Sequence, residues 1–152
     1  MRWTPHVTVA TIIEHDDKFL CVEEQSQSLG QLVINQPAGH VEANETFIEA
    51  AIRETLEETG WSVTPTGLIG IYIYTAPANG VTYHRYCFAA RAESYDPDLP
   101  LDTGIERAVW LSRAELEQQK DRLRSPMVTQ CIDDYLSGIR FPLSVIVEPK
   151  NH

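Results

Sequence analysis

Residues 45–59 constrain the fold of this chain more than any other segment, because they carry the clearest helical periodicity. Positions that suit a buried helix face recur three and four residues apart: Phe47, Ile48, Ala51, Ile52, Thr55 and Leu56. Gly60 follows directly, and a glycine in the left-handed conformation commonly ends a helix. The pattern therefore predicts an amphipathic helix that ends at Gly60 and packs one face against another element.

Three glutamates near the end of this helix break the rules for a stable isolated helix. Glu57 and Glu58 follow Glu54 by three and four residues, so the carboxylates project from one side of the helix. Like charges at these spacings repel, and acids near a helix C-terminus also meet its partial negative charge. The acids either form a solvated face or hold a divalent cation between them. Hard oxygen ligands of this kind suit Mg²⁺, for which Mn²⁺ can substitute.

Patterns typical of β-strands lie on both sides of the helix. The predicted strands cover residues 6–14, 18–22, 31–35, 68–75, 82–92 and 108–111. The first two are predicted to pair as a hairpin across the turn-like Asp16 and Asp17. The fourth and fifth are predicted to pair as a second hairpin around residues 77–80. Pro37-Ala38-Gly39 is predicted to end the third strand and open a loop.

Two further helices are predicted after the last strand. Ser112 and Glu115 match a capping box, which predicts a helix to about Arg122. Ser125-Pro126 matches the start of another helix, and Gly138 matches its end. This order of elements favours a sheet between helices in one mixed α/β or α+β domain.

The charge of the chain limits its partners. Twelve Lys and Arg against twenty-two Asp and Glu give a net charge of −10, which disfavours binding to nucleic acid. An anionic small substrate would need a bound cation to screen it. No apolar run is long enough to cross a membrane, and the three cysteines are too widely spaced for a disulfide framework or zinc site. We expect a soluble cytoplasmic protein; the sequence carries no signal for its oligomeric state.

Residues 39–45 (GHVEANE) and 53–61 (RETLEETGW) together resemble the Nudix box, the signature of the Nudix hydrolase family. The matching positions are Gly39, Glu45, Arg53, Glu54, Glu57, Glu58 and Gly60. Thr55 departs from the pattern, since the family usually has an aliphatic residue there; we expect its hydroxyl to bond to a carbonyl one turn earlier. The resemblance implies an α/β fold: a Nudix-like α/β/α sandwich with a mixed sheet, in a single domain over residues 1–152 with its box at residues 39–61.

The resemblance also implies roles for the box residues. Glu54, Glu57 and Glu58, with the Gly39 carbonyl, correspond to the metal ligands. Arg53 corresponds to the residue that pairs with Glu45 and orients the glutamates. We predict catalytic roles for Glu54, Glu57, Arg53 and Glu106. The acceptor of the proton from water is either Glu54 or an acid outside the box, and Glu106 and Asp102 lie in a loop that could reach the site.

The implied activity is Mg²⁺-dependent hydrolysis of phosphoanhydride bonds in a small phosphorylated molecule. Stretches outside the box, including residues 6–10, 36–40 and 123–126, resemble a subgroup of relaxed bacterial phosphatases within the family. That subgroup implies phosphate release from nucleoside tri- and diphosphates and from hydroxymethylpyrimidine or thiamine pyrophosphate. The alternatives are a Nudix-like module that senses a nucleotide without cleaving it, and a hydrolase of oxidised nucleotides that releases pyrophosphate.

Several residues outside the acidic set are candidates for substrate binding. Arg85 could bind phosphate through its guanidinium or form a surface ion pair, and His40 could touch phosphate or bond to backbone. Tyr72, Tyr74 and Tyr83 could stack on a substrate ring, although alternating tyrosines more often belong to the sheet. The remaining histidines show no metal-ligand spacing and receive no role: His6, His15, His84 and His152.

Overall fold

The strands of the chain form two sheets. In the computed structural model, which describes residues 1–26 and 29–148, strands β1 to β8 are His6–Ile12, Glu14–His15, Lys18–Ser26, Gln31–Asn35, Ala38–His40, Trp61–Thr75, Thr82–Tyr95 and Ile105–Ser112. The first sheet has the order β5-β1-β7-β6, and in the second, β3 lies between β4 and β8 and also pairs with β2. The β1–β7 pair is parallel and the β1–β5 and β6–β7 pairs are antiparallel, so the first sheet is mixed.

Helices cover both faces of the first sheet. They are α1 (Phe47–Thr59), α2 (Arg113–Gln118) and α3 (Met127–Leu136), with short 3₁₀ turns at Lys120–Arg122 and Leu143–Val145.

Neighbouring residues of β1 show how the two faces are divided. Ala10 packs in a buried cluster with Leu116 of α2 and Ile132 of α3, whereas Val9 packs with Ala51 of α1. Because successive side chains of a strand face opposite sides, α1 lies on one face and α2 and α3 lie on the other. The predicted α/β/α sandwich with a mixed sheet is confirmed.

The prediction that residues 6–14 pair with residues 18–22 as a hairpin was wrong for most of its length. Only Glu14–His15 pairs with β3, across a turn in which Asp16 and Asp17 both have positive φ, of 50° and 61°. β1 instead lies between β5 and β7. Its residues from Thr8 onward are buried, and burial on both faces suits a central strand.

Two smaller predictions also differ from the structure. Residues 38–40 form the short strand β5 rather than a loop, because they pair with β1 across the sheet. The helix predicted to reach Arg122 ends at Gln118 and continues as a 3₁₀ turn. A three-residue strand is too short to show an alternating pattern, and its existence depends on a distant partner.

The remaining predictions of elements hold. The second hairpin pairs β6 with β7, and both strands are longer than predicted. Gly60 adopts a left-handed φ of 79° at the end of α1, and Gly138 has a φ of 90° just after α3. Ser112 forms its capping box with Glu115. α3 starts at Met127, directly after Ser125-Pro126, and Ser125 Oγ accepts the Met127 N–H at 3.2 Å.

The core contains a buried threonine of α1 and three buried cysteines. Thr55 is fully buried, and its hydroxyl donates to the Ala51 carbonyl at 2.8 Å, as expected from its departure from the family pattern. Cys21, Cys87 and Cys131 are free and buried. Among the residues described, no helix has the length and apolar character needed to cross a membrane.

Candidate active site

Helix α1 is held at both ends, which fixes the positions of its acidic residues. At its start, Thr46 and Glu49 form a reciprocal capping box. At its end, the Gly60 N–H donates to the Leu56 carbonyl at 2.9 Å. Ala50 and Ala51 pack in a buried cluster with Val9 and Phe88 of the first sheet. The glutamates in its last turns therefore project from a rigid support.

Arg53 connects the box loop to these glutamates. Its guanidinium binds Glu45 in a fork, with Nε donating to Oε2 at 2.6 Å and Nη2 donating to Oε1 at 2.9 Å. Its Nη1 donates to Glu54 Oε1 at 2.7 Å, and Nη2 also donates to the His40 carbonyl at 3.1 Å. The hydrogen bonds from Arg53 lower the pKa of Glu45 despite partial burial. The pair of Glu45 and Arg53 implied by the resemblance is present, and it holds one oxygen of Glu54 in place.

Three carboxylates converge beside this arginine. Glu54, Glu57 and Asp102 each offer one oxygen, and these atoms lie within 4.8 Å of one another. Asp102 comes from the loop before β8, which is attached to α1 because the Asp102 N–H donates to the Glu57 carbonyl at 3.0 Å. Burial raises the pKa of Glu54, and burial followed by the charge of Asp102 raises the pKa of Glu57. We call Glu54, Glu57 and Asp102 the acidic cluster.

The acidic cluster has the chemistry of a site for a hard divalent cation. It consists of carboxylate oxygens, the ligands that Mg²⁺ and Mn²⁺ prefer, and Arg53 is shared with Glu45. A bound dication would favour the ionised carboxylates, against the burial and the neighbouring negative charges that raise the two pKa values. Gly39 lies directly against this site, since a methyl group built on its Cα would overlap the Glu54 carboxyl group. The residues present therefore fit a metal that is held by carboxylates.

Glu58 is placed differently from the other two box glutamates. It is 7% exposed, and its Oε1 accepts a hydrogen bond from the Ala38 N–H at 2.9 Å. Burial raises the pKa of Glu58 to about 9, against the effect of that hydrogen bond. Adjacent residues of a helix differ in direction by about 100°, and in this structure Glu57 lies beside Asp102 whereas Glu58 reaches Ala38. The structure brings Glu58 to strand β5 instead of the acidic cluster, and its metal-ligand role stays a prediction.

Glu106 is not brought into the acidic cluster. Its Oε1 accepts a hydrogen bond from Gln25 Nε2 at 3.3 Å, and it lines a separate cavity of about 210 Å³. Glu106 lies in β8 and not in the predicted loop, whereas Asp102, four residues earlier, lies in the loop before β8 and beside Glu57, where an acid outside the box was expected. The sequence signal was an acid in the loop before β8, which did not distinguish Asp102 from Glu106 because the path of a loop depends on tertiary contacts.

A cavity of about 620 Å³ lies near the acidic cluster, since Gly39, which packs against Glu54, is one of its lining residues together with His40. Its floor is a row of residues at matching positions of β5, β1 and β7: His40, Thr8 and Arg85. Residues directly opposite each other in a sheet face the same side, which explains why His40 and Arg85 share this cavity. A volume of this size suits a small organic ligand.

Arg85 is a buried, hydrogen-bonded cation rather than a member of a surface ion pair. It is 4% exposed, and no carboxylate in residues 1–26 and 29–148 forms an ion pair with it. Its Nη1 donates to Gln36 Oε1 at 2.8 Å, and Nη2 donates to Asn35 Oδ1 at 2.9 Å. It is a buried cation below the cavity, so a surface ion pair is excluded and a role toward phosphate stays a prediction.

The structure also groups aromatic residues at the cavity. His6 Nδ1 and His40 Nε2 lie 3.0 Å apart, and both rings contact Tyr83. Burial, followed by the charge of His6, lowers the pKa of His40. Tyr74 and Tyr83 line the cavity, whereas Tyr72 donates to Asp134 Oδ2 at 2.7 Å and does not line it. His6 received no role from sequence because its partner His40 is on a distant segment; His152 lies outside the described residues.

Comparison with known proteins decides the family. The model of the NUDIX domain matches residues 4–131. The chain belongs to the Nudix family. The fold, the Nudix box and the acidic cluster described above are consistent with this membership, and Nudix hydrolases use a divalent metal. The match ends at residue 131, so the assignment of residues 1–152 to one Nudix domain stays a prediction.

Two relatives cover nearly the whole of this Nudix chain. Phosphatase NudJ of Escherichia coli K12 is 44% identical over 142 residues, which span 93% of this chain and 90% of NudJ. The solved structure of a NUDIX hydrolase from Nitrosomonas europaea is 48% identical, with a TM-score of 0.93 over 96% of this chain and 98% of that one. The resemblance to the phosphatase subgroup is therefore confirmed, and this Nudix chain is an enzyme of the pyrophosphohydrolase and phosphatase class.

More distant structures share the fold alone. An ADP-ribose pyrophosphatase from Streptococcus suis superposes with a TM-score of 0.67 at 14% identity, covering 91% of this chain and 96% of that one. At this level of identity the likeness shows that the Nudix sandwich is common to both, and it carries no information about substrate.

Proposed function

We propose that this chain is a Mg²⁺-dependent phosphatase that cleaves phosphoanhydride bonds and releases orthophosphate. Its proposed substrates are nucleoside tri- and diphosphates and the pyrophosphates of hydroxymethylpyrimidine and thiamine. The observation that carries the proposal is the convergence of Glu54, Glu57 and Asp102 beside Gly39, a residue that also lines the 620 Å³ cavity. We keep the cytoplasmic location as part of the proposal.

The acidic cluster requires a cation before it can accept a phosphate chain. Without one, three carboxylates repel a polyphosphate, and the net charge of −10 adds to the repulsion. Glu54 and Glu57 would hold the metal, together with Asp102 and the Gly39 carbonyl, and Glu58 remains a further proposed ligand. A bound divalent cation supplies charge neutralisation and lowers the pKa of a coordinated water.

The protein residues around the acidic cluster orient the reacting groups. Arg53 holds one oxygen of Glu54 at 2.7 Å, so the second oxygen of Glu54 is free to hold a ligand or to accept a proton. We propose Asp102 as the alternative proton acceptor, in place of Glu106, because Asp102 lies within the cluster. Gly39 permits the close approach of Glu54, and any side chain there would displace the carboxyl group.

Two residues of the cavity floor are proposed to assist binding of the phosphate chain. Arg85 places a buried positive charge below the cavity, and His40 lies next to Gly39 at its edge. A cation without a carboxylate partner favours an anionic ligand nearby. Because two Arg85 nitrogens already bind Asn35 and Gln36, its contribution is mainly its charge.

Product analysis tests the proposal. The protein is stripped of metal with a chelator, then given Mg²⁺ and each of CTP, CDP, thiamine pyrophosphate and 8-oxo-dGTP, with orthophosphate and pyrophosphate measured separately. We expect orthophosphate release that requires Mg²⁺ or Mn²⁺ and is absent with chelator alone. Pyrophosphate as the sole product from triphosphates would overturn the phosphatase proposal in favour of a hydrolase of oxidised nucleotides.

A further inference from the structure

A chain of hydrogen bonds below the cavity fixes the orientation of an amide side chain. The Arg85 guanidinium only donates, so the atom of Asn35 that receives its Nη2 hydrogen must be the carbonyl oxygen. The Gln36 backbone N–H donates to the same Asn35 oxygen at 2.9 Å. Gln36 is itself held, because its Nε2 donates to the Val128 carbonyl at 2.6 Å. The Asn35 amide nitrogen is therefore forced toward Glu24.

Glu24 is the acceptor at the end of this chain of hydrogen bonds. Its Oε1 receives hydrogen bonds from Asn35 Nδ2 at 3.4 Å and from Arg124 Nη1 at 2.9 Å. Its Oε2 has no donor among residues 1–26 and 29–148, although the side chain is only 14% exposed. Glu24, Asn35 and Arg124 all line the 620 Å³ cavity. A carboxylate oxygen that lines a cavity and has no donor from the described residues can accept a hydrogen bond from a ligand.

Arg124 places hydrogen-bond donors beside the acceptor oxygen of Glu24. It has five N–H groups, and within the described part of the chain its side chain makes a single hydrogen bond, to Glu24. The cavity therefore presents an acceptor oxygen next to unused donors. A ligand that matches this pair has a donor next to an acceptor on one edge.

We propose that Glu24 and Arg124 select substrates whose ring carries an amino group next to an unprotonated ring nitrogen. This inference rests on the proposed function, because it concerns the organic part of the same substrate. The amino N–H donates to Glu24, and the ring nitrogen accepts from Arg124. Cytosine, adenine and 4-aminopyrimidine have this edge.

Rings with a carbonyl in place of the amino group have the opposite pattern. Uracil and hypoxanthine present a carbonyl oxygen where Glu24 needs a donor and a ring N–H where Arg124 needs an acceptor. The N–H of uracil is also recessed between two carbonyl oxygens, which a carboxylate repels. Rejection of such rings follows from the unpaired polar groups that they would leave in the cavity.

The test compares matched substrates in the wild-type protein with Mg²⁺. CTP and UTP differ at this edge, as do ATP and ITP, and each pair shares its triphosphate. We expect kcat/KM to favour CTP over UTP, and ATP over ITP, by about tenfold or more. Equal values within each pair would overturn the inference while leaving phosphate release, and so the proposed function, intact.

A substitution then tests Glu24 itself. Glu24→Gln keeps the shape and can still accept from Arg124, but replaces the free oxygen with a donor, and we expect both ratios to fall below about threefold. Glu117→Gln removes a carboxylate from α2, outside the cavity, and should keep the wild-type ratios. Retention of those ratios in folded Glu24→Gln would overturn the role of Glu24.

Binding provides a measurement that does not depend on turnover or on the variant. Calorimetric titration of wild-type protein with cytidine and with uridine, in chelator, reports the ring preference alone, because neither nucleoside carries a phosphate chain. We expect cytidine to bind about tenfold more tightly or better, and equal affinities would overturn the inference. If cytidine is preferred but no substrate is hydrolysed with Mg²⁺, the proposed function fails and the inference about the ring stands.

Discussion

Glu23 and Glu58 are both buried glutamates, but the protein treats their charges in opposite ways. Glu23 is 5% exposed and binds two arginines, with Arg107 Nε and Arg122 Nη2 each 2.5 Å from its oxygens. Burial opposes ionisation of Glu23, but the hydrogen bonds from Arg122 and Arg107 outweigh it and lower its pKa. Glu58 has no arginine partner in the described residues, and burial raises its pKa to about 9.

The difference separates an acid that stabilises the fold from acids that await a ligand. Glu23 joins β3 to β8 and to the 3₁₀ turn after α2, so its charge is used within the protein. Burial, and after it the charges of neighbouring acids, raises the pKa values of Glu54, Glu57 and Glu58, and the positive charge beside them does not offset this. Such local conflict is typical of functional sites, where a ligand supplies the missing partner.

The largest effect should come from removing one carboxylate of the acidic cluster. Glu57→Gln keeps the size of the side chain but loses a charged ligand, so we expect kcat to fall by about 100-fold or more, measured as Mg²⁺-dependent phosphate release. Circular dichroism checks the fold, and Glu117→Gln is the matched control for loss of one surface carboxylate. Near-normal turnover in Glu57→Gln would remove this residue from the metal ligands.

Crowding the same carboxylate should cost activity without removing any charge. In Gly39→Ala the added methyl overlaps the Glu54 carboxyl group, so Glu54 must move away from Glu57 and Asp102. We expect kcat to fall by about tenfold to 100-fold, since small misplacements of catalytic groups have effects of this size. Unchanged kcat in a folded Gly39→Ala protein would show that the position of Glu54 is not critical.

The two candidate acids outside the box can be ranked directly by substitution: Asp102 of the loop before β8 and Glu106 of β8. Asp102→Asn changes a member of the acidic cluster, and we expect kcat to fall by about tenfold. Glu106→Gln changes a residue that binds Gln25 instead, and its loss should be smaller. A larger loss in Glu106→Gln than in Asp102→Asn would reverse the assignment and restore Glu106 as the acid outside the box.

Glu23 should affect stability and its pH dependence. Glu23→Gln weakens two charged hydrogen bonds, so we expect the free energy of unfolding to fall by about 2 kcal/mol at pH 7 in urea titrations. Because the pKa of Glu23 is lowered by folding, its stabilisation is present above its usual value of 4.5 and is lost as the pH falls through the folded-state pKa. The wild-type advantage should therefore shrink below about pH 4.5, and a constant difference would contradict this account.

The smallest effect should be a gain in stability from Glu58. In chelator at pH 8, Glu58→Gln removes a carboxyl group that is disfavoured by burial and still accepts from the Ala38 N–H. We expect Tm to rise by about 3 °C, the opposite sign to Glu23→Gln. A fall in Tm would show that the Glu58 carboxylate stabilises the fold as Glu23 does.

Much of the site could be predicted from sequence because its residues lie on one helix. The spacing of Glu54 and Glu57 and the capping glycine at position 60 depend on local geometry, which a helix repeats regularly. The separation of Glu58 was not predicted, since it required the Ala38 N–H of β5. The choice of Asp102 over Glu106 depended on a backbone hydrogen bond between a loop and α1.

The polar residues of the cavity could not be predicted from sequence, because only the fold brings them together. Glu24, Asn35, Arg85 and Arg124 lie on four separate segments, and no spacing in the chain relates them. The sequence by itself determined the helix of the Nudix box, its acids and the alternation of the strands, because these are properties of neighbouring residues. Only the tertiary structure decided which strands pair with β1, which acid completes the cluster and which polar groups line the cavity, because those contacts depend on packing between segments distant along the chain.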